Sequence, residues 1–383
     1  MSKEGNKCFI CGSEIREANK TDEHIILNAI GGHLHSYDVL CKDCNSKMGD
    51  SADAALAENL SYITDMLQIQ RNRKSNHNQV MTDDNGHEVI VKSAGKELYL
   101  RRPYKSIQTD GNATTVSLTV RNLNELNGFL KGLIKDGTIT ESQADEIRQK
   151  AEVSEHRPVL SKRMSISERA FPSIIKSAVD FWVDRTHDID RIQPLVPYIL
   201  GQKDCKDVLY LHLFKELPYP TDVKQATHMI HVEGSKETGL LYALMEYYSM
   251  FTYIVVLDGN YQDADINMTY TFDAVSSKEV ERLFSLPLTL KQLDDFRNMP
   301  HDEYVTYLPF MEQRMDSVMN IWQTRTDKEE LHDVIDKVFS SYPEGCIIDK
   351  KMINEVQHEV VSFFERKFQR ADKLKNHRRR KRD

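Results

Sequence analysis

Two pairs of cysteines near the N-terminus constrain the fold of this chain more than any other feature. Each pair has the spacing CxxC, and the four thiols are Cys8 with Cys11 and Cys41 with Cys44. A CxxC turn presents two sulfurs to one metal, so two such turns supply the four ligands of a tetrahedral zinc ion. A complete shell of protein ligands leaves no position for a substrate. We therefore expect a structural zinc ion that holds other residues in place.

The segment between the two cysteine pairs is longer than a plain zinc ribbon needs, and it carries polar residues suited to chemistry. We predict a strand at 25–27, a glycine turn at 31–32, a second strand at 37–40 and a helix from residue 42. In that order of elements the first strand meets the first turn of the helix. This arrangement would bring Glu23 and His24 close to Asn45.

These residues also form a pattern that resembles a known family. The pattern is Cys-x-x-Cys, then Asp-Glu-His-Ile-Ile with Gly-Gly, then Val-Leu-Cys-x-x-Cys-Asn. It resembles the HNH endonucleases, or ββα-metal nucleases, in their zinc-stapled form, over residues 8 to about 50. The resemblance implies that His24 is the general base, that Glu23 and Asn45 bind one Mg²⁺ or Mn²⁺ ion, and that the substrate is DNA.

The chain departs from the commonest form of that family at three points. Members often carry Asp before the base and His at the helix position, whereas this chain has Glu23 and Asn45. Both substitutes offer oxygen ligands that suit a hard cation. The residue that would orient the base has no clear match, and Ser36 and Asp38 occupy the region where it is expected.

Each candidate residue also has a simpler interpretation. Four cysteines alone are typical of purely structural zinc modules. His24 could be a surface histidine, and Asn45 could merely cap the helix. Conversely, His33 and His35 flank the glycine turn or follow it closely, and they are alternative metal ligands.

Composition is typical of a globular protein of two or three domains. The chain has 383 residues, 40% of them hydrophobic and 29% charged. It contains neither an apolar run long enough to cross a membrane nor an apolar segment at its start, so we expect a cytoplasmic protein. Two further cysteines, Cys205 and Cys346, are isolated and are expected to be buried free thiols.

Charge is distributed unevenly along the chain. Residues 366–383 contain ten basic and two acidic residues, a charge of +8. Because the whole chain carries −8, the other residues carry −16. Contacts with a polyanion should therefore be confined to the tail and a few patches, although a basic tail can also be a solubilising end.

The middle of the chain changes from helical to alternating patterning. We predict a helix from 51 to about 76, a small antiparallel sheet within 79–121, a helical hairpin within 122–153 and a helix within 167–188. Two basic clusters in this region are candidates for contact with nucleic acid. The second also mixes cations with tyrosine rings, as nucleic-acid-binding surfaces do. The two clusters consist of Arg71, Arg73 and Lys74, and of Arg101, Arg102 and Lys105.

The second half predicts a sheet of its own followed by helices. Strands are expected at 207–214, 227–233, 251–257 and 267–273, and 239–245 fits either a strand or a helix. Helices are expected at 277–284, 290–297, 305–322, 328–339 and 351–374. The fold class is therefore α+β: an N-terminal zinc-stapled ββα-metal module, then a mixed region with antiparallel sheets and a helical C-terminus. We place the domains at 1–55, 56–185 and 186–372, with a basic tail at 373–383.

Three functional hypotheses follow from this organisation. The first is a DNA endonuclease of bacterial genome defence, such as antiviral defence, or of restriction, with the C-terminal region acting in recognition or regulation. The second is a zinc-stapled protein that binds DNA or a partner but does not cleave. The third is a nuclease gated by a nucleotide ligand, for which no motif appears. An oligomer and a regulatory ligand or protein partner are compatible with each.

Overall fold

A computed structural model describes most of the chain. It covers residues 6–71, 78–92, 95, 97–110, 113–151, 159–162, 164–211, 225–283 and 285–380, with the backbone alone for 109, 113, 114 and 370–380. The fold class is the expected one, since antiparallel sheets combine with helices that dominate the C-terminal part. No described helix has the length and apolar composition that a membrane span requires.

The α-helices of the described residues are numbered in chain order. They are α1 (Lys42–Met48), α2 (Ala54–Met66), α3 (Leu123–Lys135), α4 (Glu141–Lys150), α5 (Phe171–Thr186), α6 (Ile189–Ile192), α7 (Val196–Ile199), α8 (Leu290–Arg297), α9 (His301–Val305), α10 (Leu308–Phe339) and α11 (Lys350–Arg380). A π-helical turn at Gly49–Asp53 joins α1 to α2.

The β-strands are numbered in the same way. They are β1 (Glu23–His24), β2 (His35–Ser36), β3 (Gln79–Thr82), β4 (Glu88–Lys92), β5 (Glu97–Leu100), β6 (Tyr104–Asp110), β7 (Ala113–Thr119), β8 (Leu209–Leu211), β9 (Thr227–Ser235), β10 (Leu240–Tyr247), β11 (Phe251–Asp258), β12 (Ile266–Asp273) and β13 (Lys278–Glu279). All the pairs that these described strands form are antiparallel.

The chain forms two compact units, and each is discontinuous in sequence. The first combines Met1–Ser75 with Met164–Glu330, and the second combines Asn76–Arg163 with Leu331–Asp383. These divisions fall at other points than the expected boundaries after 55, 185 and 372. The N-terminal module therefore shares one unit with most of the second half of the chain.

The N-terminal hairpin differs in detail from the sequence prediction. Its strands are β1 and β2, which pair Glu23 with Ser36 and His24 with His35, whereas 25–27 and 37–40 are not strands. The apolar residues 25–27 are buried and lead into a 3₁₀ turn, so they fill the core without joining a ladder. A Cβ atom on Gly32 would lie 2.1 Å from the carbonyl oxygen of Ile26, so this turn requires glycine.

The first unit is built on a six-stranded sheet with the order β13-β12-β9-β10-β11-β8. The segment that fitted either a strand or a helix is strand β10, which pairs with β9 on one side and β11 on the other. One face of the sheet is the core against α8, and its fully buried members include Met229, Leu244 and Ile254. The predicted helix at 277–284 is wrong, because Lys278–Glu279 forms the edge strand β13.

Two side chains of this sheet region are bonded to the N-terminal hairpin. The carbonyl oxygen of Ile30 accepts one hydrogen bond from His228 Nε2 at 2.9 Å and another from the Tyr248 hydroxyl at 2.7 Å. The His228 and Tyr248 rings lie 4.4 Å apart and are fully buried. The loop between β1 and β2 is therefore part of the core of the first unit.

Burial of His228 predicts a pH-dependent stability. Desolvation lowers the pKa of His228 to about 4 in the folded chain, against about 6.5 when unfolded. Between these pH values the unfolded chain binds a proton that the folded chain does not, so stability falls as the pH falls from about 6.5 towards 4. We expect a loss of about 3 kcal/mol in the free energy of unfolding from this group. Denaturant unfolding at a series of pH values measures it.

The matched variant is His228→Gln, which retains a hydrogen-bond donor for Ile30 but does not titrate. Its stability should vary less steeply with pH over the same range than that of the wild type. Equal slopes for the two proteins would contradict this account of the hairpin contact.

The second unit contains a three-stranded sheet, β3-β4-β5, a separate hairpin, β6-β7, and the predicted helical hairpin, α3-α4. The helical hairpin has its own core, which includes Leu126, Leu130 and Leu133. Thr140 caps the start of α4 with a capping box, in which its side chain accepts from the Gln143 backbone N–H.

Three predicted helices have other bounds in the structure. The helix expected from 51 to about 76 ends at Met66, and Gln68 follows it with a φ of 51°. The two helices expected at 305–322 and 328–339 are the single helix α10. No glycine or proline interrupts residues 323–327, so nothing in the sequence stops the helix there.

Candidate active site

The four cysteines of the CxxC pairs converge as expected. Their sulfur atoms all lie within 4.8 Å of one another, and the Cys11 and Cys41 sulfurs are 3.7 Å apart. A tetrahedral ion with bonds of about 2.3 Å spaces its sulfur ligands roughly 3.8 Å apart, so the four positions fit zinc. Among the described residues this is the sole group of three or more Cys, His, Asp or Glu side chains with metal-binding spacing.

The environment of the thiols also favours a bound cation. Burial raises the pKa of Cys8, and burial with the nearby Cys8 charge raises the pKa of Cys44. Four thiolates at this distance from one another would repel strongly without a cation. Zinc binding would therefore release protons from these thiols and stabilise the folded module.

The cysteine cluster holds the start of α1 beside the segment that precedes β1. The backbone N–H of Lys42 donates to the carbonyl oxygen of Asn19 at 2.8 Å, and Lys20 forms a β-bridge with Cys41. Asn45, in the first turn of α1, donates from Nδ2 to the Thr21 hydroxyl at 3.1 Å. Within the described residues, the Asn45 Oδ1 atom accepts no hydrogen bond. This amide oxygen is therefore available as a ligand.

Strand alternation separates the two neighbouring candidates on β1. The Glu23 side chain points into the core and is 2% exposed, whereas His24 is half-buried. The His24 ring lies 6.0 Å from the ring of His35, its cross-strand neighbour. His35 in turn contacts Asp22 through Nδ1 at 2.6 Å. The exposed side of the hairpin thus brings together Asp22, His24 and His35.

Burial lowers the pKa of His24, and the negative charge of Asp22 partly offsets that effect. A histidine with a lowered pKa is neutral at pH 7 and can accept a proton. His33, the other alternative metal ligand, stacks on Phe272 with ring centroids 4.7 Å apart.

Glu23 is part of a buried ionic cluster that the sequence analysis did not predict. Its Oε1 atom accepts a hydrogen bond from Lys176 Nζ, which also lies 3.1 Å from Asp180 Oδ2 and 3.6 Å from Asp53 Oδ2. Lys176 and Asp180 belong to α5 and are fully buried, and Asp53 ends the π-helical turn and accepts a hydrogen bond from Ser173. We call Glu23, Asp53, Lys176 and Asp180 the buried quartet.

One oxygen of Glu23 is left over in this cluster. The Glu23 Oε2 atom is buried and has no hydrogen-bond partner among the described residues. Burial raises the pKa of Glu23, and the positive charge of Lys176 counteracts that effect. Burial alone would lower the pKa of Lys176, but the surrounding carboxylates raise it well above its usual range, so Lys176 is charged. Both carboxylate oxygens of Asp180 are likewise buried without a hydrogen-bond partner among the described residues, so the quartet has more acceptor oxygens than donors.

Lys176 and Asp180 could have been noticed in the sequence. They lie four residues apart on a helix whose other residues between 174 and 183 are mostly apolar, and a lysine and an aspartate at that spacing face the same side. The prediction of a helix within 167–188 depended on apolar periodicity alone. Glu23 as their partner, 153 positions away from Lys176, has no signal in a single sequence.

The basic residues that the sequence suggested for contact with nucleic acid lie in both units. The Arg71 side chain, in the first unit, is 9% exposed and donates to Asp65 at 2.6 Å, so its charge is already paired. Arg73 and Lys74 lie outside the described residues. In the second unit Arg101 pairs with Glu88 at 3.0 Å, and both Arg102 and Lys105 are exposed.

Comparison with known proteins agrees with the N-terminal pattern. Residues 8–61 match a family model described as HNH endonuclease, which confirms the resemblance stated from the sequence. The matched segment covers the four cysteines, Glu23, His24 and Asn45, and it is a small part of the 383 residues. No curated protein and no solved structure matches the chain.

Proposed function

We propose that the HNH endonuclease domain at residues 8–61 makes this chain a divalent-metal-dependent endonuclease that hydrolyses phosphodiester bonds of DNA. The family match indicates a nuclease in general. The observation that carries the finer proposal is the combination of a half-buried histidine with two unused oxygens, Glu23 Oε2 and Asn45 Oδ1, on neighbouring elements of one zinc-stapled module.

Each residue has one role in the proposed reaction. Glu23 and Asn45 would hold one Mg²⁺ or Mn²⁺ ion, since carboxylate and amide oxygens suit both cations. When bound, this ion would neutralise charge on the scissile phosphate and on the leaving 3′ oxygen. His24 would accept the proton of the attacking water as the bond from phosphorus to the 3′ oxygen breaks. The four cysteines would fix the start of α1 through zinc.

The proposal also assigns a function to the residues outside the HNH domain. An HNH module is short, and the residues beyond 61 form most of both units. We assign to them recognition or regulation of cleavage, as expected of a bacterial defence or restriction nuclease. The basic tail is the part of the sequence best suited to attract DNA.

A second function is favoured by one observation. Glu23 already has a cationic partner in Lys176, as expected if the module has lost its catalytic ion and only binds DNA or a protein. The two functions differ in what divalent ions do, because binding alone would not require them.

Conversion of supercoiled plasmid to nicked and linear forms tests the proposal. We expect cleavage with Mg²⁺ or Mn²⁺, its loss on brief treatment with EDTA, and its recovery when the divalent ion is returned. Zinc content should stay constant throughout, because thiolates bind zinc far more tightly than oxygen ligands bind Mg²⁺. DNA binding without cleavage under all these conditions would favour the second function.

A further inference from the structure

We propose that Lys176 is a positioning residue of the nuclease site, which holds Glu23 Oε1 so that Oε2 remains available to the divalent ion. The inference rests on the proposed function and extends its machinery beyond the matched segment, because Lys176 lies more than a hundred residues after residue 61.

The contacts of Lys176 fix the Glu23 carboxylate on one side only. The Lys176 ammonium is fully buried, and within the described residues it bonds one Glu23 oxygen and leaves the other without a hydrogen-bond partner. A carboxylate held through one oxygen has its rotation restricted, so the second oxygen points in a defined direction. Outer partners of metal-binding carboxylates act in this way, and they orient the ligand before the ion arrives.

The charges of the buried quartet argue against a purely structural salt bridge. One ammonium faces three carboxyl groups, at distances up to 3.6 Å, so the ionised quartet would carry two excess negative charges. Burying charge is costly, and apolar residues of similar size often stabilise such a position better than ions do. An excess of negative charge beside an unpartnered oxygen suits a nearby divalent cation.

Asp53 and Asp180 complete the arrangement. A lysine paired with Glu23 alone would cancel the carboxylate charge and repel an incoming cation. Because Asp53 and Asp180 also face Lys176, the ammonium charge is compensated by groups other than Glu23. A divalent ion at Oε2 would offset the negative charge that Lys176 leaves uncompensated, while Lys176 holds the Glu23 carboxylate in place.

The principal variant is Lys176→Met, which keeps the length of the side chain and removes its charge. We expect the Mn²⁺ concentration for half-maximal cleavage to rise about 10–100-fold, the usual range for loss of an outer partner of a metal ligand. Mn²⁺ binding without DNA, followed by electron paramagnetic resonance, should weaken by a similar factor. Zinc content and the KM for DNA should not change.

Arg314→Met is the matched control, because Arg314 is a buried cation paired with Glu246 elsewhere in the first unit. It should lower the melting temperature without altering the Mn²⁺ dependence. If Lys176→Met does not fold, Asp180→Asn serves instead, since it leaves Lys176 and Glu23 in place. It should produce a smaller change in the same direction.

The outcomes separate the inference from the proposed function. Weaker Mn²⁺ binding in the Lys176 or Asp180 variant supports the inference even if the wild type cleaves no DNA. A wild type that cleaves, with variants whose Mn²⁺ dependence is unchanged, overturns the inference and leaves the nuclease intact. A shift of equal size in Arg314→Met also overturns it, because the effect would then be one of general stability.

Discussion

Replacing His24 by alanine is expected to reduce the rate of plasmid cleavage about 10²–10⁴-fold, the usual contribution of a general base. The half-buried imidazole, with its pKa lowered by burial, is neutral near pH 7, and alanine removes the proton acceptor altogether. Stability should change little, because the imidazole is only half-buried and the backbone pairing of His24 with His35 does not need the ring. Single-turnover cleavage at saturating Mg²⁺ measures the effect.

His35→Ala is the matched control for this experiment. His35 is the cross-strand neighbour of His24, has the same side chain and is exposed, but it contacts Asp22 through Nδ1. We expect His35→Ala to lose less than about tenfold in rate, because the acceptor ring remains. If His35→Ala showed the large loss of cleavage rate and His24→Ala the small one, His35 would be the general base. It would fail if His24→Ala cleaved at the wild-type rate with its zinc retained.

Local sequence patterns were sufficient to predict the parts of the site that depend on neighbours in the chain. The CxxC spacing predicted the sulfur cluster. The position of the second CxxC pair, directly before Asn45, predicted the start of α1. Turn residues and apolar periodicity also predicted the α3-α4 hairpin and α8 at their observed places. In each case the determining pattern is local in the sequence, such as a CxxC turn, a turn residue or a helical stripe.

The parts that were not predicted depend on contacts between distant residues. Residues 25–27 have the composition of a strand, but they lead directly into the 3₁₀ turn at Asn28–Ile30 and pack in the core of the first unit without a ladder partner among the described residues. The burial of Glu23 against Lys176 is decided by the packing of α5, which brings together residues 153 positions apart in the chain. The extent of the first unit likewise follows from contacts such as His228 with Ile30, which no local pattern encodes.

These distant contacts give the zinc cluster a role beyond its own loop. The cluster fixes the end of the hairpin, and Ile30, in the middle of that hairpin, accepts hydrogen bonds from His228 and Tyr248 of the sheet region. Phe9, next to Cys8, accepts another from Gln193 at 3.0 Å. Loss of zinc should therefore affect the first unit as a whole.

Replacing Cys44 by serine is accordingly expected to remove the zinc ion and to destabilise the first unit along with the module. Structural zinc sites contribute roughly 10–16 kcal/mol of apparent binding free energy, and much of this is folding free energy of the segment around the metal. Even partial loss should lower the melting temperature by roughly 10 °C or more. Metal analysis and calorimetry measure the two effects. Cys205→Ser is the matched control, because Cys205 is a buried free thiol outside the cluster, whereas Cys346 is exposed and not buried as expected. A Cys44 variant with full zinc content and an unchanged melting temperature would show that three thiols suffice to bind zinc. A variant that loses zinc but keeps its melting temperature would show that the sheet contacts alone hold the hairpin.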